Sequence, residues 1–166
     1  SGIRLFRVCP EDPEHSLGGK TVRSICVGDN GTVWAATEDG FLEKIHPDGR
    51  IFSFGYEDAL RSKTYQSIVY SDGKVYAVSL GEGMSVYDSE SLKLVKNYSV
   101  GNNYCNRLLS TTKGETLVGT AIGLYRYDGG SDSYVRIDSI PEAFVSALCE
   151  DRQGRVWVSV LSHGVF

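Results

Sequence analysis

Short apolar stretches, separated by turns rich in Gly, Asp and Asn, run along the chain from about residue 20. In the first such unit they read TVRSICV, TVWAAT, FLEKI and RIFSF, with turns at Asp29-Asn30-Gly31 and Pro47-Asp48-Gly49. Apolar residues alternate with polar ones or form short runs, and they lack the 3.6-residue spacing of a helix. Turn residues of this kind accept positive φ or brace the turn through their side chains. The pattern predicts four antiparallel strands joined by tight turns.

The same pattern returns three more times. A glycine before the second apolar stretch recurs at intervals of 42, 41 and 40 residues, at Gly31, Gly73, Gly114 and Gly154. A second glycine recurs at intervals of 43, 40 and 41 residues, at Gly40, Gly83, Gly123 and Gly164. Two independent anchors with one period indicate a true repeat. A four-stranded meander of about 40 residues is typical of a β-propeller blade.

The predicted fold is therefore all-β, with about four four-stranded antiparallel blades in one partial propeller domain, residues 1–166. The expected divisions are an outer strand and crossing loop at 1–19, blades at 20–61, 62–102 and 103–141, and an incomplete blade at 142–166.

The segment Gly2–Phe6 resembles the last strand of a blade, and this leaves two interpretations. It completes the last blade and closes a four-bladed ring, or the chain is part of a larger ring of the seven-bladed type. We favour the second interpretation, because propellers of this period often need more than four blades to close. An incomplete ring leaves an apolar blade face bare, so self-association through propeller faces or edges is expected.

Two tryptophans, Trp34 and Trp157, occupy the same position in their repeats, where the other two repeats have Tyr76 and Leu117. All four positions lie in the middle of a predicted strand rather than in a loop. We expect these side chains to fill the space between adjacent blades.

Composition narrows the range of partners. The net charge of −4 and the lack of a basic patch argue against nucleic acid. No apolar run approaches the roughly 20 residues that span a bilayer, so any membrane contact is expected through regions outside this chain. The four cysteines form no CxxC pair and match no zinc framework. Neither a metal site nor a cofactor is predicted, and the cysteines are expected to be buried or half-buried thiols.

Nearly the whole chain resembles the two-component regulator propeller repeat, and the third repeat keeps Gly114, Gly119-Thr120 and Gly123-Leu124 of that pattern. In the first repeat the matching residues are Ser16-Leu17, Val22, Ile25, Gly31, Val33, Trp34, Thr37 and Gly40-Phe41. In the fourth they are Val145, Leu148, Glu150-Asp151, Gly154, Val156-Trp157 and Gly164-Val165. The Glu-Asp pair of that family is replaced by Val27-Gly28 in the first repeat, and Thr111 takes the Asp position in the third.

The resemblance implies the sensor region of a bacterial hybrid two-component regulator, in a periplasmic or other extracytoplasmic location. In that family the propellers lead through a β-sandwich and a membrane helix to a histidine kinase, and several such sensors respond to oligosaccharides. The implied function is sensing of a small-molecule or oligosaccharide ligand, without enzymatic activity in this region.

Ligands of propellers usually bind one face, which is built from the loops between second and third strands and the loops that cross between blades. Sugar recognition needs aromatic faces for stacking and polar groups for hydroxyls. The candidate binding residues in these loops are Tyr56, Arg61, Asn103, Tyr104, Glu38 and His163. No catalytic residue is assigned.

Two alternative functions remain open at the level of sequence. The first is a protein-interaction scaffold that binds another subunit with its flat face. The second is a propeller lyase or hydrolase, for which His163 is the only histidine in a loop of the expected ligand face.

Overall fold

The computed structural model describes residues 2–55 and 64–166, and these form fifteen strands in four antiparallel sheets. Blade 1 contains β1 (Val22–Val27), β2 (Val33–Thr37), β3 (Leu42–Ile45) and β4 (Ile51–Phe54). Blade 2 contains β5 (Thr64–Ser71), β6 (Lys74–Leu80), β7 (Gly83–Asp88) and β8 (Leu94–Tyr98). Blade 3 contains β9 (Cys105–Ser110), β10 (Thr116–Thr120), β11 (Gly123–Asp128) and β12 (Ser133–Arg136). Blade 4 contains β13 (Val145–Glu150), β14 (Val156–Val160) and β15 (Gly164–Val165).

Each sheet is a meander in which every strand pairs with its neighbours in sequence. The predicted all-β fold of propeller blades is thus confirmed, with four strands in each of blades 1 to 3 and three in blade 4. Helical structure in the described residues consists of two 3-10 turns, Pro13–His15 and Asp29–Gly31.

Equivalent positions in different blades share one register. Trp34 lies opposite Cys26 across β1 and β2, and Trp157 lies opposite Cys149 across β13 and β14. Every inner strand also has a register shift after its first or second residue, in β1, β5, β9 and β13. Such bulges increase the local twist of a strand, so each blade starts with the same bend at its inner edge.

Adjacent blades bury their facing sides in three hydrophobic clusters. Between blades 1 and 2, Trp34 and Ile68 belong to one cluster, and Trp34 is only 1% exposed. Between blades 2 and 3, Tyr76 packs against the cluster that contains Leu108. Between blades 3 and 4, Leu117 lies in a cluster against which Leu148 packs. These contacts agree with the expected interblade packing at positions 34, 76 and 117, whereas Trp157 is 41% exposed.

The N-terminal segment differs from the expectation of an outer strand. Residues 2–6 form no strand, and Arg7 makes only an isolated bridge with Ser16. Phe6 and Val8 instead pack over Ile45 on blade 1. Phe6 and Val8 therefore pack on blade 1, and the described residues 2–6 add no strand to blade 4.

Residues 16–21 form a strap across blade 1, and a buried carboxylate holds it. Glu43 is fully buried, and its Oε1 accepts hydrogen bonds from the backbone N–H groups of Gly18 and Gly19, at 2.8 and 3.2 Å. Its Oε2 accepts a 2.5 Å bond from Ser53 Oγ. A Cβ atom on Gly19 would lie 2.4 Å from Thr37 Oγ1, so only glycine fits here. The strap and the sheet are thus fixed to each other by Glu43, and also by Asp39, whose Oδ2 accepts hydrogen bonds from the backbone N–H groups of Lys20 and Thr21.

The four cysteines are free thiols, and Cys105 is buried whereas Cys149 is exposed. Within residues 2–55 and 64–166, no helix has the length and apolar character needed to cross a membrane. The same residues contain no group of three or more His, Cys, Asp and Glu side chains that could hold a metal ion.

Candidate functional site

A cleft of about 380 Å³ opens between blades 2 and 3, and we call it the tyrosine cleft. Its lining residues are Lys74, Tyr76, Val86, Val95, Lys96, Tyr98, Gly114, Thr116, Tyr127, Asp132 and Tyr134. It lies toward the turns that join first to second and third to fourth strands, which we call the lower face. The expected ligand face, here called the upper face, is at the opposite ends of the strands.

Three tyrosine rings form the wall of this cleft. Tyr98, on the outer strand of blade 2, meets Tyr127 and Tyr134 of blade 3 nearly edge to face, with ring centroids 6.0 and 5.4 Å apart. Tyr127 and Tyr134 lie 5.6 Å apart. Aromatic pairs favour such edge-to-face distances, which are within the range that contributes to packing. Tyr134 is buried and fixes the group, while Tyr127 remains exposed toward the cleft.

One carboxylate joins the polar ends of these residues. Asp132 Oδ1 accepts hydrogen bonds from Tyr98 Oη and Tyr127 Oη, both at 2.9 Å, and Oδ2 accepts one from Lys96 Nζ. The Lys96 ammonium also lies 4.6 Å from the centroid of the Tyr98 ring. Because Lys96 and Tyr98 belong to blade 2 and Asp132 to blade 3, this group links the two blades across the cleft.

Hydrogen bonds within its own turn fix the position of Asp132. Asp128 accepts bonds from the backbone N–H groups of Gly130 and Ser131 and from Ser131 Oγ. Asp132 itself has φ +48°, a left-handed conformation that Asp tolerates better than most residues. The side chain of Asp132 is thereby turned back toward blade 2.

These contacts shift the protonation equilibria of the cleft. The hydrogen bond from Lys96, followed by those from Tyr127 and Tyr98, lowers the pKa of Asp132 to about 2. Donation to Asp132, together with partial burial, raises the pKa of Tyr127 to about 12. Burial is the main cause of the raised pKa values of Tyr98 and Tyr134. At neutral pH the cleft therefore presents neutral phenols around a paired carboxylate and ammonium.

An equivalent cleft of about 370 Å³ lies between blades 1 and 2. Trp34 stacks on Tyr70 with ring centroids 6.1 Å apart and planes inclined by 9°. Lys44 Nζ lies 5.3 Å from the centroid of the Trp34 ring and donates to Ser89 O at 2.7 Å. Tyr70 Oη donates to Asp29 Oδ2 at 2.5 Å. Each of the two clefts thus combines aromatic rings, a lysine and a carboxylate at a blade boundary.

The lower-face turns also explain the Glu-Asp pair of blade 4. Asp151 accepts bonds from Trp157 Nε1, from the backbone N–H groups of Arg155 and Gln153 and from Arg155 Nε, which keep the pKa of its carboxyl well below the usual value. Glu150 accepts from Thr112 N and Oγ1 in blade 3, at 2.7 and 2.6 Å. Asp151 therefore fixes its own turn, and Glu150 ties that turn to the preceding blade.

Blade 1 has Gly28 where blade 4 has Asp151, counted back from Gly31 and Gly154. Trp34 Nε1 is buried and has no hydrogen-bond partner. A Cβ atom on Gly28 would lie 2.4 Å from this nitrogen, so the site has no room for the carboxylate that serves Trp157. The position of the Trp34 ring thus explains why the first repeat has Gly28 where the family pattern has Asp.

The structure spreads the predicted site residues over several upper-face loops. Asn103 and Tyr104 lie together in the loop between blades 2 and 3, Glu38 follows β2 of blade 1, and His163 precedes β15 of blade 4. Tyr104 is 54% exposed, and its carbonyl accepts from Ala121 N. Tyr56 and Arg61 lie outside the described residues.

Three of these side chains have local partners. Asn103 has φ +64°, and its Oδ1 accepts from Val100 N at 2.9 Å. Glu38 forms an ion pair with Arg23 at 2.6 Å. His163 Nδ1 lies 2.9 Å from Leu161 O. Asn103 therefore shapes its own turn, whereas the Tyr104 side chain is exposed at the upper face.

Sequence reasoning did not single out the tyrosine cleft. Its rings come from strands of two different repeats. Within its own repeat, each tyrosine has the pattern of an ordinary strand residue. The available signal was the high tyrosine count, ten in all, together with tyrosines in the outer strands of both repeats, at Tyr98 and Tyr134.

Comparison with known families identifies the repeat. Residues 16–39 and 139–161 match the family described as two component regulator propeller. The two segments occupy the same place in the fold, since each runs from the loop before an inner strand through the second strand of its blade. The predicted relationship to these repeats is confirmed for blades 1 and 4. A comparison with curated proteins gives no match.

Solved structures share the fold. The chain is 19% identical to the extracellular domain of a hybrid two component system from B. thetaiotaomicron, with a TM-score of 0.80 over 98% of this chain and 22% of that one. It therefore spans less than a quarter of that domain's length.

The chain also resembles two proteins that are shorter than this extracellular domain. It is 12% identical to the WD40 beta propeller domain of Doa1, with a TM-score of 0.75 over 91% of this chain and 51% of that one. It is 14% identical to virginiamycin B lyase from Staphylococcus aureus, with a TM-score of 0.68 over 83% and 48%. At these identities the likeness concerns the fold alone.

Proposed function

Because the chain carries two component regulator propeller repeats in its first and fourth blades, we propose that it is a ligand-sensing propeller region of a bacterial two-component signalling regulator. The observation that carries the proposal is the placement of both matched segments on equivalent strands and turns of the fold. The similarity to an extracellular domain of a hybrid two component system supports a periplasmic or other extracytoplasmic location. We assign the region a binding role rather than a catalytic one.

The proposed ligand is an oligosaccharide, and the tyrosine cleft is its preferred binding site. Sugar recognition combines aromatic faces with polar groups that fix hydroxyls, in a concave and largely preformed site. The exposed ring of Tyr127, the paired Lys96 and Asp132, and the volume of about 380 Å³ meet these requirements. A sugar suits this site because hydroxyl groups can exchange hydrogen bonds with Lys96 and Asp132 while a pyranose ring lies against Tyr127.

The position of the cleft provides a route from binding to signalling. Asp132 of blade 3 binds Lys96 and Tyr98 of blade 2, so a ligand that exchanges hydrogen bonds with this group acts directly on the contact between two blades. A ligand shifts a conformational equilibrium only as far as its affinity for the two states differs. The proposed signal is a change in the packing of blade 3 on blade 2.

The proposal is tested by calorimetric titration of the purified chain with a panel of neutral oligosaccharides. We expect one class of sugar to bind, and Tyr127→Ala to weaken binding at least tenfold, as loss of a stacking ring does. Tyr127→Phe keeps the ring and serves as the matched control, with most of the affinity retained.

Tyr104→Ala separates the cleft from the upper face. Loss of binding in Tyr104→Ala with unchanged affinity in Tyr127→Ala would move the site to the predicted upper-face residues, Tyr56, Arg61, Asn103, Tyr104, Glu38 and His163. Absence of binding to every sugar in the panel would contradict the oligosaccharide proposal itself.

A further inference from the structure

The two clefts of the lower face are built from the same positions of successive blades. We call the cavity of about 370 Å³ between blades 1 and 2, which contains Trp34, the tryptophan cleft. Three equivalent pairs of positions line the tryptophan and tyrosine clefts in turn: Thr32 and Lys74, Trp34 and Tyr76, and Lys44 and Val86. The first pair directly follows the repeat glycine, the second lies two residues later, and the third is paired with the second on the adjacent strand. The fold therefore presents one kind of cleft twice.

Blade 2 lies between the two clefts and contributes to both. Ser89 and Glu90, which follow β7, line the tryptophan cleft, and Lys74, at the start of β6, lines the tyrosine cleft. The two turns are in contact, since Ser89 N donates to Gly73 O at 3.0 Å. Neighbouring sheets pack about 10 Å apart, so the clefts are separated by about this distance. A Cβ atom on Gly73 would meet no atom within 4 Å, so the surface between the clefts is open.

The tryptophan cleft offers polar groups that the fold does not use. Among the residues that the structure describes, the side chains of Asn30, Thr32 and Glu90 make no hydrogen bond or ion pair. An amide, a hydroxyl and a carboxylate are groups that donate to or accept from sugar hydroxyls. In the tyrosine cleft, by contrast, Lys96 and Asp132 already bind each other. The two clefts thus differ in emphasis, with an exposed ring in one and free polar groups in the other.

We propose that the two clefts are neighbouring subsites for one oligosaccharide chain, which crosses the lower face of blade 2. One part of the chain stacks on Tyr127, and another part bonds to Asn30, Thr32 and Glu90. A polymer of like units presents the same groups at regular intervals, so it suits a site that the fold repeats. Binding in the second cleft is then intramolecular, which raises the affinity of a long ligand over a short one. The inference rests on the proposed function, because it requires a sugar in the tyrosine cleft.

Calorimetric titration with sugars of increasing length tests the second subsite. The probes are cello-, xylo- and manno-oligosaccharides from disaccharide to hexasaccharide. For the series that binds, we expect the affinity to rise about tenfold with length and then to stay constant once both clefts are filled. Tyr127→Ala should weaken binding at every length.

Variants of the tryptophan cleft distinguish the two subsites. Glu90→Ala and Thr32→Val should each weaken hexasaccharide binding about tenfold and leave disaccharide binding unchanged, because the disaccharide fills the tyrosine cleft alone. Glu82→Ala removes the same charge from the upper face of blade 2 and is the matched control, with no change at any length. Circular dichroism should show that all three variants keep their strands.

The second subsite and the proposed function fail in different ways. Equal affinity for the disaccharide and the hexasaccharide would overturn the second subsite and leave the proposed function in place. The same holds if Glu90→Ala and Thr32→Val bind the hexasaccharide as tightly as Glu82→Ala does. Absence of binding at every length in all three series would overturn both.

Discussion

Trp34 and Trp157 occupy the same place in their blades, each opposite a cysteine of the inner strand, yet Trp34 is 1% exposed and Trp157 is 41% exposed. The difference comes from the next blade, since Tyr70 of blade 2 stacks on Trp34 and the described residues provide no such ring for Trp157. The burial of a residue in this fold is therefore decided by the neighbouring repeat rather than by its own.

The two tryptophans should differ in their contribution to stability. Trp34→Ala removes the stack on Tyr70 and the edge contact with Phe54, and we expect it to lower the free energy of unfolding by about 3–5 kcal/mol. Trp157→Ala should cost about 1 kcal/mol or less in dilute protein, because much of its ring already contacts water. Urea unfolding followed by circular dichroism measures both changes. Equal losses would contradict the assigned environments.

The buried acid of blade 1 should be sensitive to truncation and tolerant of an amide. Glu43→Ala leaves the N–H groups of Gly18 and Gly19 without an acceptor, and we expect a loss of about 3 kcal/mol in the free energy of unfolding. Glu43→Gln retains an oxygen for both groups and should lose about 1 kcal/mol. Limited proteolysis should cleave the strap near Lys20 faster in Glu43→Ala only. Identical cleavage in the two variants would show that the strap is held in another way.

The link between Asp132 and Tyr127 should give the cleft a distinct pH dependence. The pKa of Asp132 is lowered to about 2 by its donors, so the stabilisation it provides is complete above the unfolded value near 4 and is lost as pH falls toward 2. The pKa of Tyr127 is raised to about 12. The stabilisation that its neutral phenol provides is therefore present below about pH 10 and is lost as pH rises through 12.

Carbon-13 NMR of the tyrosine rings, with Tyr127→Phe as the assignment control, follows the ionisation of Tyr127. Asp132→Asn should lower the titration midpoint of Tyr127, since the amide is a weaker acceptor for the phenol than the carboxylate. An unchanged midpoint in Asp132→Asn would rule out the bond from Tyr127 to Asp132 as the cause of the shift.

The thiols should react in an order fixed by their blade positions. Burial raises the pKa values of Cys26 and Cys105 to about 12, so both should resist a thiol reagent at neutral pH. Cys149 lies opposite Trp157 on the open side of blade 4 and is exposed, so it should react quickly. The rate of release of the reagent's chromophore, compared with that of Cys149→Ser, measures this order. Fast reaction of Cys26 in the folded chain would contradict the packing of blades 1 and 2.

Much of the fold could be predicted from sequence, because each blade is a local unit with its own glycine turns. The spacing from Gly31 to Gly154 was sufficient to predict four repeats of strands, and the position of Trp34 to predict its burial between blades. The segment Gly2–Phe6 was misread because its strand-like pattern does not show which partner it packs against. In the structure Phe6 packs on blade 1, whereas Ile3 and Leu5 are exposed.

The candidate site could not be predicted from the sequence in the same way. The tyrosine cleft depends on Lys96 and Asp132, which lie 36 residues apart and in different repeats. It also depends on the positive φ of Asp132, which the sequence of its turn does not specify. Contacts between repeats follow from how blades stack, so a pattern read within one repeat contains no information on them. The upper-face residues, by contrast, were predicted from loop position alone.

Quenching of tryptophan fluorescence by iodide tests the central claim, that equivalent positions in successive blades form one repeated interface, most directly. The chain has only two tryptophans, so Trp34→Phe and Trp157→Phe each leave a single reporter. We predict that the Trp34 ring is protected from iodide and that the Trp157 ring is quenched. Equal quenching of both tryptophans would contradict the claim.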